Sequence, residues 1–192
     1  MCNKKGVLAV VSGPSGCGKG TVLRHVLKNE EYAISVSATT RAPRAGEEDG
    51  VHYFFISEQD FLKRVEGDKF LEHAKYCGNH YGSLRDYVEN LRCQGKHVIL
   101  EIETAGAFMV KSNAPDALLL FIAPPDMQTL EKRLRGRGTE KEEIILERLA
   151  KGAEEMKLMH KYDRCIINYD DGDKQAADEI MEAITAYHNR SN

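Results

Sequence analysis

The sequence has no excess of positive charge and no C-x-x-C pair, and each absence argues against a class of function. Its 192 residues carry 27 lysines and arginines against 30 aspartates and glutamates, a net charge of -3. This balance gives no general reason to expect a nucleic-acid partner, so any anion site must be a local cluster of cations. The five cysteines are odd in number, so they indicate neither a disulfide framework nor a zinc site and favour a reducing compartment.

Long apolar runs and interdomain linkers are also missing. The first apolar run, residues 7–11, is too short for a signal-peptide core or a membrane span. We therefore predict a cytoplasmic protein with no membrane partner. No internal repeat, low-complexity tract or Pro/Gly-rich linker divides the chain, so a single domain over residues 1–192 is expected, as a monomer or a homodimer.

Short β-rich runs alternate with helical patterns, which favours an α/β fold with a central parallel β-sheet flanked by helices. The strand candidates are residues 7–12, 33–37, 52–56, 70–76, 97–102, 117–122 and 165–168. The helix candidates are residues 21–28, a segment that begins at Ser57-x-x-Asp60, residues 84–94, and periodic apolar patterns within 127–134, 145–156 and 176–187.

Two segments break this alternation. Residues 33–83 hold several strand candidates and only one short helix, which predicts a small mixed α/β excursion able to cover a second ligand. Residues 135–159 begin with glycines and charges between two helices, which is typical of a mobile lid. The core would then consist of about 1–32, 84–134 and 160–192.

A glycine-rich segment joins the first strand candidate to the first helix candidate. It reads Gly13-Pro14-Ser15-Gly16-Cys17-Gly18-Lys19-Gly20-Thr21. This order fits the G-x-x-x-x-G-K pattern, in which backbone N–H groups surround phosphate oxygens at a helix N-terminus and the lysine reaches the outer phosphates. The segment predicts a P-loop that binds ATP, with Lys19 in a catalytic role.

The same segment bears on how Mg²⁺ is held and on whether the Cys17 thiol is reactive. The strict pattern has Ser or Thr directly after the lysine to hold Mg²⁺, whereas Gly20 here precedes Thr21. Mg²⁺ is expected to accompany ATP, with Thr21 as the nearest hydroxyl. Cys17 lies where the helix dipole and Lys19 favour a thiolate, so a reactive thiol and a buried, inert one both stay open.

A second anion site is indicated by Arg41 and Arg44, which lie three residues apart around a proline. Guanidinium groups offer rigid bidentate donors that suit a phosphate monoester, and Tyr53 adds a hydroxyl. Further along, Glu72 and the run 78–83 contribute one carboxylate and two hydroxyls, groups that can read a base.

Together these motifs resemble those of the guanylate kinases, over residues 7–168. The matching segments are 13–21, Ser35-Val36-Ser37-Ala38-Thr39-Thr40-Arg41-x-Pro43-Arg44-x-Gly46-Glu47, Gly78-Asn79-x-Tyr81-Gly82-Ser83, 121–125 and Arg133-Leu134-x-x-Arg137-Gly138-Thr139-Glu140. The resemblance implies a P-loop NTPase fold and transfer of the γ-phosphoryl group of ATP to GMP.

The resemblance also implies a role for each matching residue. At the GMP phosphate it implies Arg41, Arg44, Tyr53 and Tyr81, and at guanine Ser37, Glu72 and Ser83. On the ATP side and in the lid it implies Arg133, Arg137, Arg148 and Asn168. Because the attacking GMP phosphate is already anionic, no general base is required, and the predicted catalytic residues are Lys19, Arg44, Arg137 and Arg148.

One segment departs from the family. Glu101, Glu103 and Ala105 stand where guanylate kinases usually carry two aspartates and a glutamine. Each glutamate extends its carboxylate by about 1.5 Å. We expect Glu103 to contact GMP and Glu101 to contact the water shell of Mg²⁺.

Two other functions stay open. One is a binding module like the guanylate-kinase-like domains of scaffold proteins, which commonly lose the P-loop that is intact here. The other is a kinase for a different small molecule on the same fold, which the departure at 101–105 leaves possible. An assay of GMP-dependent ADP release separates the GMP kinase from both alternatives, and a lack of ATP binding in a titration would favour the binding module.

Overall fold

The computed structural model describes residues 5–136, 138 and 141–190. The strands in this part are β1 (Leu8–Ser12), β2 (Tyr32–Ile34), β3 (Ala38–Thr39), β4 (Phe54–Phe55), β5 (Phe70–Tyr76), β6 (Asn79–Leu84), β7 (His97–Glu101), β8 (Leu118–Ala123) and β9 (Arg164–Ile167). The helices are α1 (Lys19–Val26), α2 (Glu58–Glu66), α3 (Arg85–Cys93), α4 (Thr104–Asn113), α5 (Met127–Gly136), α6 (Glu142–Met156) and α7 (Asp173–Arg190).

Five of the strands form a parallel sheet in the order β2-β7-β1-β8-β9. Every residue of β1 and β8 is buried, because helices cover both faces of the sheet. One face packs on α1 and α7 through residues such as Val22 and Ile180, and the other packs on α3 and α4 through Val88 and Val110. The predicted fold class is confirmed, and the carboxyl ends of β1, β7 and β8 meet at one edge.

A second sheet, in the order β4-β3-β6-β5, lies within residues 38–84. Its pairs β3–β6 and β5–β6 are antiparallel, and β3–β4 is parallel. Phe61 of α2 stacks on Phe70 of β5 with ring centroids 4.4 Å apart, and both side chains are buried with Ala38 in a small core of their own. This sheet presents loops toward the edge where β1 and β7 end.

Several elements agree with the sequence, whereas β3, β6 and α4 were not predicted. The α2 helix begins where predicted, because the Ser57 hydroxyl accepts a hydrogen bond from the Asp60 N–H at 3.1 Å. The helix α4 was not predicted, since it combines glycine, alanine and apolar residues without a clear polar face. The strand β6 covers most of the run 78–83, which the sequence indicated as base-reading but not as a strand, and its pairing with β5 and β3 holds it extended.

Cys17, Cys77 and Cys165 are free thiols, and of these Cys17 is buried and Cys77 exposed. None of the helices in the described ranges is long and apolar enough to cross a membrane.

Candidate active site

The segment between β1 and α1 forms a tight loop around the lysine that follows it. Gly18 has a φ of 92°, and a Cβ there would lie 2.4 Å from Nδ2 of Asn168, so both conformation and space require glycine. Lys19 donates from Nζ to the carbonyl oxygens of Gly13, at 2.6 Å, and Pro14, at 3.1 Å. Its ammonium therefore lies against the loop at a helix N-terminus, where a phosphate oxygen is favoured.

Two residues predicted on the ATP side support this loop from behind. Asn168 is buried and donates from Nδ2 to the carbonyl oxygen of Cys17 at 2.8 Å. Arg133 donates to the same oxygen at 3.3 Å and also binds the Asn168 carbonyl and the Asp170 carboxylate, each at 2.9 Å. Both side chains thus fix the backbone of the loop.

Cys17 is fully buried in the loop. Burial raises the pKa of its thiol, and the nearby charges of Lys19 and Arg133 only partly offset that effect. Of the two alternatives left by the sequence, this favours the inert thiol, because a buried protonated sulfur is a poor nucleophile.

The predicted acceptor residues Arg41, Tyr53 and Tyr81 lie together at the second sheet, with Tyr81 in β6 and the other two in the segment between β3 and β4. The Arg41 guanidinium stands 5.5 Å from the centre of the Tyr53 ring, and the Tyr53 and Tyr81 rings are 6.0 Å apart. Glu47 accepts from Arg41 Nη2 at 2.8 Å and from the Arg44 N–H at 2.7 Å. These bonds lower the pKa of Glu47 to about 2. The Arg44 residue is exposed, and its contact to Glu47 is through the main chain.

The predicted base-reading groups lie beside this cluster. Glu72 is 7% exposed and accepts from the Ser83 hydroxyl at 2.7 Å. Burial raises the pKa of Glu72, and the hydrogen bonds from Ser83 oppose the rise without cancelling it. A cavity of about 150 Å³ is lined by Ser37, Tyr53 and Ser83 together with residues of β7. The second carboxylate oxygen faces Gly106, where an added Cβ would lie 3.2 Å from it.

The P-loop and the acceptor cluster open into one cleft. A cavity of about 410 Å³ is lined by Gly13, Ser15, Lys19, Tyr53, Glu101, Ile102, Glu103, Arg148, Lys151 and Glu155. Lys19 of the P-loop and Tyr53 of the acceptor cluster thus border the same space. The arrangement suits a reaction that moves an anionic group from one side of the cleft to the other.

Comparison with known proteins agrees with this geometry. Residues 5–187 match the family model described as guanylate kinase. The chain belongs to the guanylate kinase family. It is 44% identical over 190 residues to a guanylate kinase of Streptococcus thermophilus, covering 98% of this chain and 90% of that protein. It is 45% identical over 189 residues to one of Halalkalibacterium halodurans, covering 98% and 92%.

A solved structure supports the same assignment. The crystal structure of guanylate kinase from Anaplasma phagocytophilum is 31% identical, with a TM-score of 0.72, and the match covers 98% of this chain and 89% of that one. The resemblance to the guanylate kinases that the motifs indicated is therefore confirmed.

Of the arginines predicted in the lid, Arg148 lies in α6. Arg148 donates from Nη1 to the Ser15 hydroxyl at 3.0 Å, so α6 touches the P-loop directly. Arg137, predicted to be catalytic and to bind ATP, lies outside the described residues. Leu130, Leu134 and Ile145 form the small core that joins α5 to α6.

The residues predicted to face Mg²⁺ lie near each other. Thr21 and Glu101 line a second cavity of about 410 Å³ along with Lys19 and Arg24, and Arg24 donates to the Thr21 hydroxyl at 3.2 Å. Within the described residues no cluster of three or more acidic, His or Cys side chains could hold a metal alone. This donor set fits Mg²⁺, which commonly binds through one or two protein oxygens with substrate phosphates and water.

Two residues of this cleft, Lys151 and Glu155, were absent from the sequence predictions. Lys151 donates to Glu103 at 2.8 Å. Glu155 is 7% exposed, and burial raises the pKa of its carboxyl although Lys151 and Lys19 oppose the rise. The spacing held a usable signal, because Lys151 follows Arg148 by three residues and so lies on the same helix face.

Proposed function

We propose that this protein transfers the γ-phosphoryl group of ATP to GMP, giving ADP and GDP. The observation that carries the proposal is the shared cleft, in which Lys19 of the P-loop and Tyr53 of the acceptor cluster border one cavity. The family assignment supports the same reaction. Residues 33–83 act as the GMP-binding region and residues 135–159 as the lid in this proposal.

On the donor side, the loop of residues 13–21 binds the ATP phosphates through its main-chain N–H groups. Lys19 exchanges its carbonyl partners for phosphate oxygens and neutralises charge that develops during transfer. Arg148, already in contact with Ser15, closes over the same phosphates with Arg137. Asn168 and Arg133 hold the loop in shape, with Asn168 at the adenine side.

On the acceptor side, Arg41, Arg44, Tyr53 and Tyr81 bind the GMP phosphate. Guanine is read by the remaining acceptor residues, Ser37, Glu72, Ser83 and Glu103. An ionised Glu72 accepts hydrogen bonds from N1–H and the 2-amino group of guanine, a donor pair that adenine lacks. GMP should therefore be strongly preferred, since a buried carboxylate opposite adenine would keep only the Ser83 donor.

Mg²⁺ is proposed as the companion of ATP, held by Thr21 and Glu101, in part through water. When bound, it would neutralise charge on the phosphates of ATP. A cytoplasmic location, a monomeric or homodimeric state and the absence of a nucleic-acid partner stay predictions.

A coupled assay for ADP tests the proposal, with ATP, Mg²⁺ and each nucleoside monophosphate in turn. We expect GMP to be phosphorylated far faster than AMP, UMP or CMP. Lys19→Met should lower kcat by at least roughly 100-fold, the usual effect of removing one transition-state donor. Lys28→Met, at an exposed lysine beyond the end of α1, is the control and should leave kcat unchanged.

Equal rates with AMP, UMP or CMP would refute the guanine assignment. A protein that neither binds ATP in a titration nor releases ADP would instead fit the peptide-binding modules of this fold. Rapid phosphorylation of some other small molecule, with none of GMP, would identify a different kinase.

A further inference from the structure

One ion pair in the cleft joins the lid to the acceptor side. Lys151 of α6 donates from Nζ to Oε1 of Glu103 at 2.8 Å. Glu103 is the residue before α4, and its side chain does not cap that helix. Its carboxylate is therefore committed to the cleft, where both residues line the cavity next to Lys19 and Tyr53.

Three parts of the molecule meet at Lys151. Glu103 belongs to the edge of the central sheet, Lys151 to α6, and Tyr76 to the end of β5 in the second sheet. Tyr76 lies close enough for both charges to act on its hydroxyl, and Glu155 acts on Lys151 from the next turn of α6. Burial lowers the pKa of Lys151, but the hydrogen bond and charge of Glu103 more than offset this, so the pKa is raised and the ammonium stays charged.

The ion pair between Lys151 and Glu103 contributes little to folding stability. The side chains are 54% and 70% exposed, and exposed pairs contribute about 0–1 kcal/mol at most. A pair inside a cleft matters differently, because bound nucleotides exclude water and strengthen the electrostatic interaction. The longer glutamate at position 103 also has more rotamers than an aspartate, so a fixed partner limits where its carboxylate points.

We propose that Lys151 is a positioning residue for the acceptor, acting through Glu103. Its ammonium holds the Glu103 carboxylate toward hydrogen-bond donors of the acceptor nucleoside, and the same bond ties α6 to that side of the cleft. Closure of the lid and binding of GMP then favour each other. The inference rests on the proposed function and adds a residue that the family motifs do not include.

The test compares Lys151→Met, Lys151→Arg, Glu103→Gln and the Lys151→Met/Glu103→Gln double variant in the GMP-dependent ADP assay. Lys151→Met should raise the KM for GMP by roughly 5-fold to 20-fold, the lower range of coupling between linked sites, with the KM for ATP little changed. Lys151→Arg should recover most of the loss. The double variant should be no worse than Glu103→Gln, since the two residues act as one unit.

Lys157→Met is the matched control. Lys157 forms a pair of similar length with Glu154, at 2.7 Å, just after α6 ends. Neither residue lines the cleft, so this variant should keep the wild-type KM for GMP. Thermal melts of all variants show whether any loss reflects unfolding.

Three results would overturn the inference. An unchanged KM for GMP in Lys151→Met would show that the pair has no role in binding. A loss that falls on the KM for ATP instead would make Lys151 a donor-side contact. Fully additive effects in the double variant would show that Lys151 does not act through Glu103. Failure of the proposed function is separate, because the wild-type protein would then not phosphorylate GMP at all.

Discussion

Replacement of Glu72 by glutamine tests the reading of guanine most directly. The carboxylate is 7% exposed, and one oxygen already accepts from Ser83 at 2.7 Å. In Glu72→Gln one acceptor becomes an N–H donor that faces a donor of guanine. A lost hydrogen bond to a charged group costs about 1.5–3 kcal/mol, so kcat/KM for GMP should fall by roughly 10-fold to 150-fold.

The same substitution has an opposite effect on stability. Burial raises the folded-state pKa of Glu72 above its ordinary value of 4.5. A raised carboxyl pKa means that the stability contribution is present below the unfolded pKa and is lost as pH rises through the folded pKa. At pH 8 and without bound nucleotide, the Glu72→Gln variant should therefore melt at the same temperature as the wild type or higher. The difference in melting temperature should shrink toward pH 4.

The two measurements together separate recognition from folding. Steady-state kinetics with GMP and ATP and thermal melts at pH 4 and pH 8 provide the data. The control is Glu66→Gln at the exposed end of α2, which should change neither property. The reasoning is refuted if Glu72→Gln keeps wild-type kcat/KM for GMP, or if it loses activity only in proportion to a lower melting temperature.

Three further predictions concern the loop and the sheet. Asn168→Ala removes the 2.8 Å hydrogen bond to the Cys17 carbonyl and should cost about 1–3 kcal/mol of stability. A titration should also show weaker ATP binding. If stability and ATP affinity were both unchanged, Asn168 would not support the P-loop. Iodoacetamide at pH 7 should modify the exposed Cys77 well before the buried Cys17, as followed by mass spectrometry, and equal rates would argue against the burial. His97 accepts a hydrogen bond from the Val7 N–H at 3.0 Å, and burial lowers the pKa of its imidazole. The contribution of His97 to stability should therefore be full above the unfolded pKa of 6.5 and decline as pH falls. The His97→Asn variant should show a flatter pH dependence of stability in denaturant melts.

The central fold was predictable because its signals are local. Buried parallel strands give continuous apolar runs, and the P-loop carries its own spacing between β1 and α1. The helix α4 escaped prediction because Ala105, Gly106 and Ala107 leave no polar stripe at helical spacing. The strand β6 escaped because polar residues such as Asn79 and His80 become extended only through pairing with β3 and β5.

The residues of the candidate site also differ in whether a local sequence pattern indicates them. Residues within contiguous motifs, such as Lys19 and Arg41, were predicted from the sequence alone. The Lys151 partnership with Glu103 spans 48 positions, and the spacing that places Lys151 on the same face of α6 as Arg148 does not indicate which residue it pairs with. Such pairs depend on how helices pack, which spacing along one segment does not encode.

The resting state of the cleft explains how so many cations stay ordered in one small volume. Lys19 is held by main-chain carbonyls at 2.6 Å and 3.1 Å, Arg41 by Glu47 at 2.8 Å, and Arg148 is bonded to Ser15 at 3.0 Å. The carbonyl oxygens of Gly13 and Pro14 and the Ser15 hydroxyl are uncharged, so they are weaker acceptors than a phosphate oxygen. The Glu47 carboxylate is shared, because it also accepts from the Arg44 N–H. In the proposed function, nucleotide binding is an exchange of partners at groups that are already oriented, which would avoid much of the entropy cost of ordering long side chains. Catalysis by charge neutralisation requires such order before the phosphates arrive, because reorientation during transfer would add to the barrier.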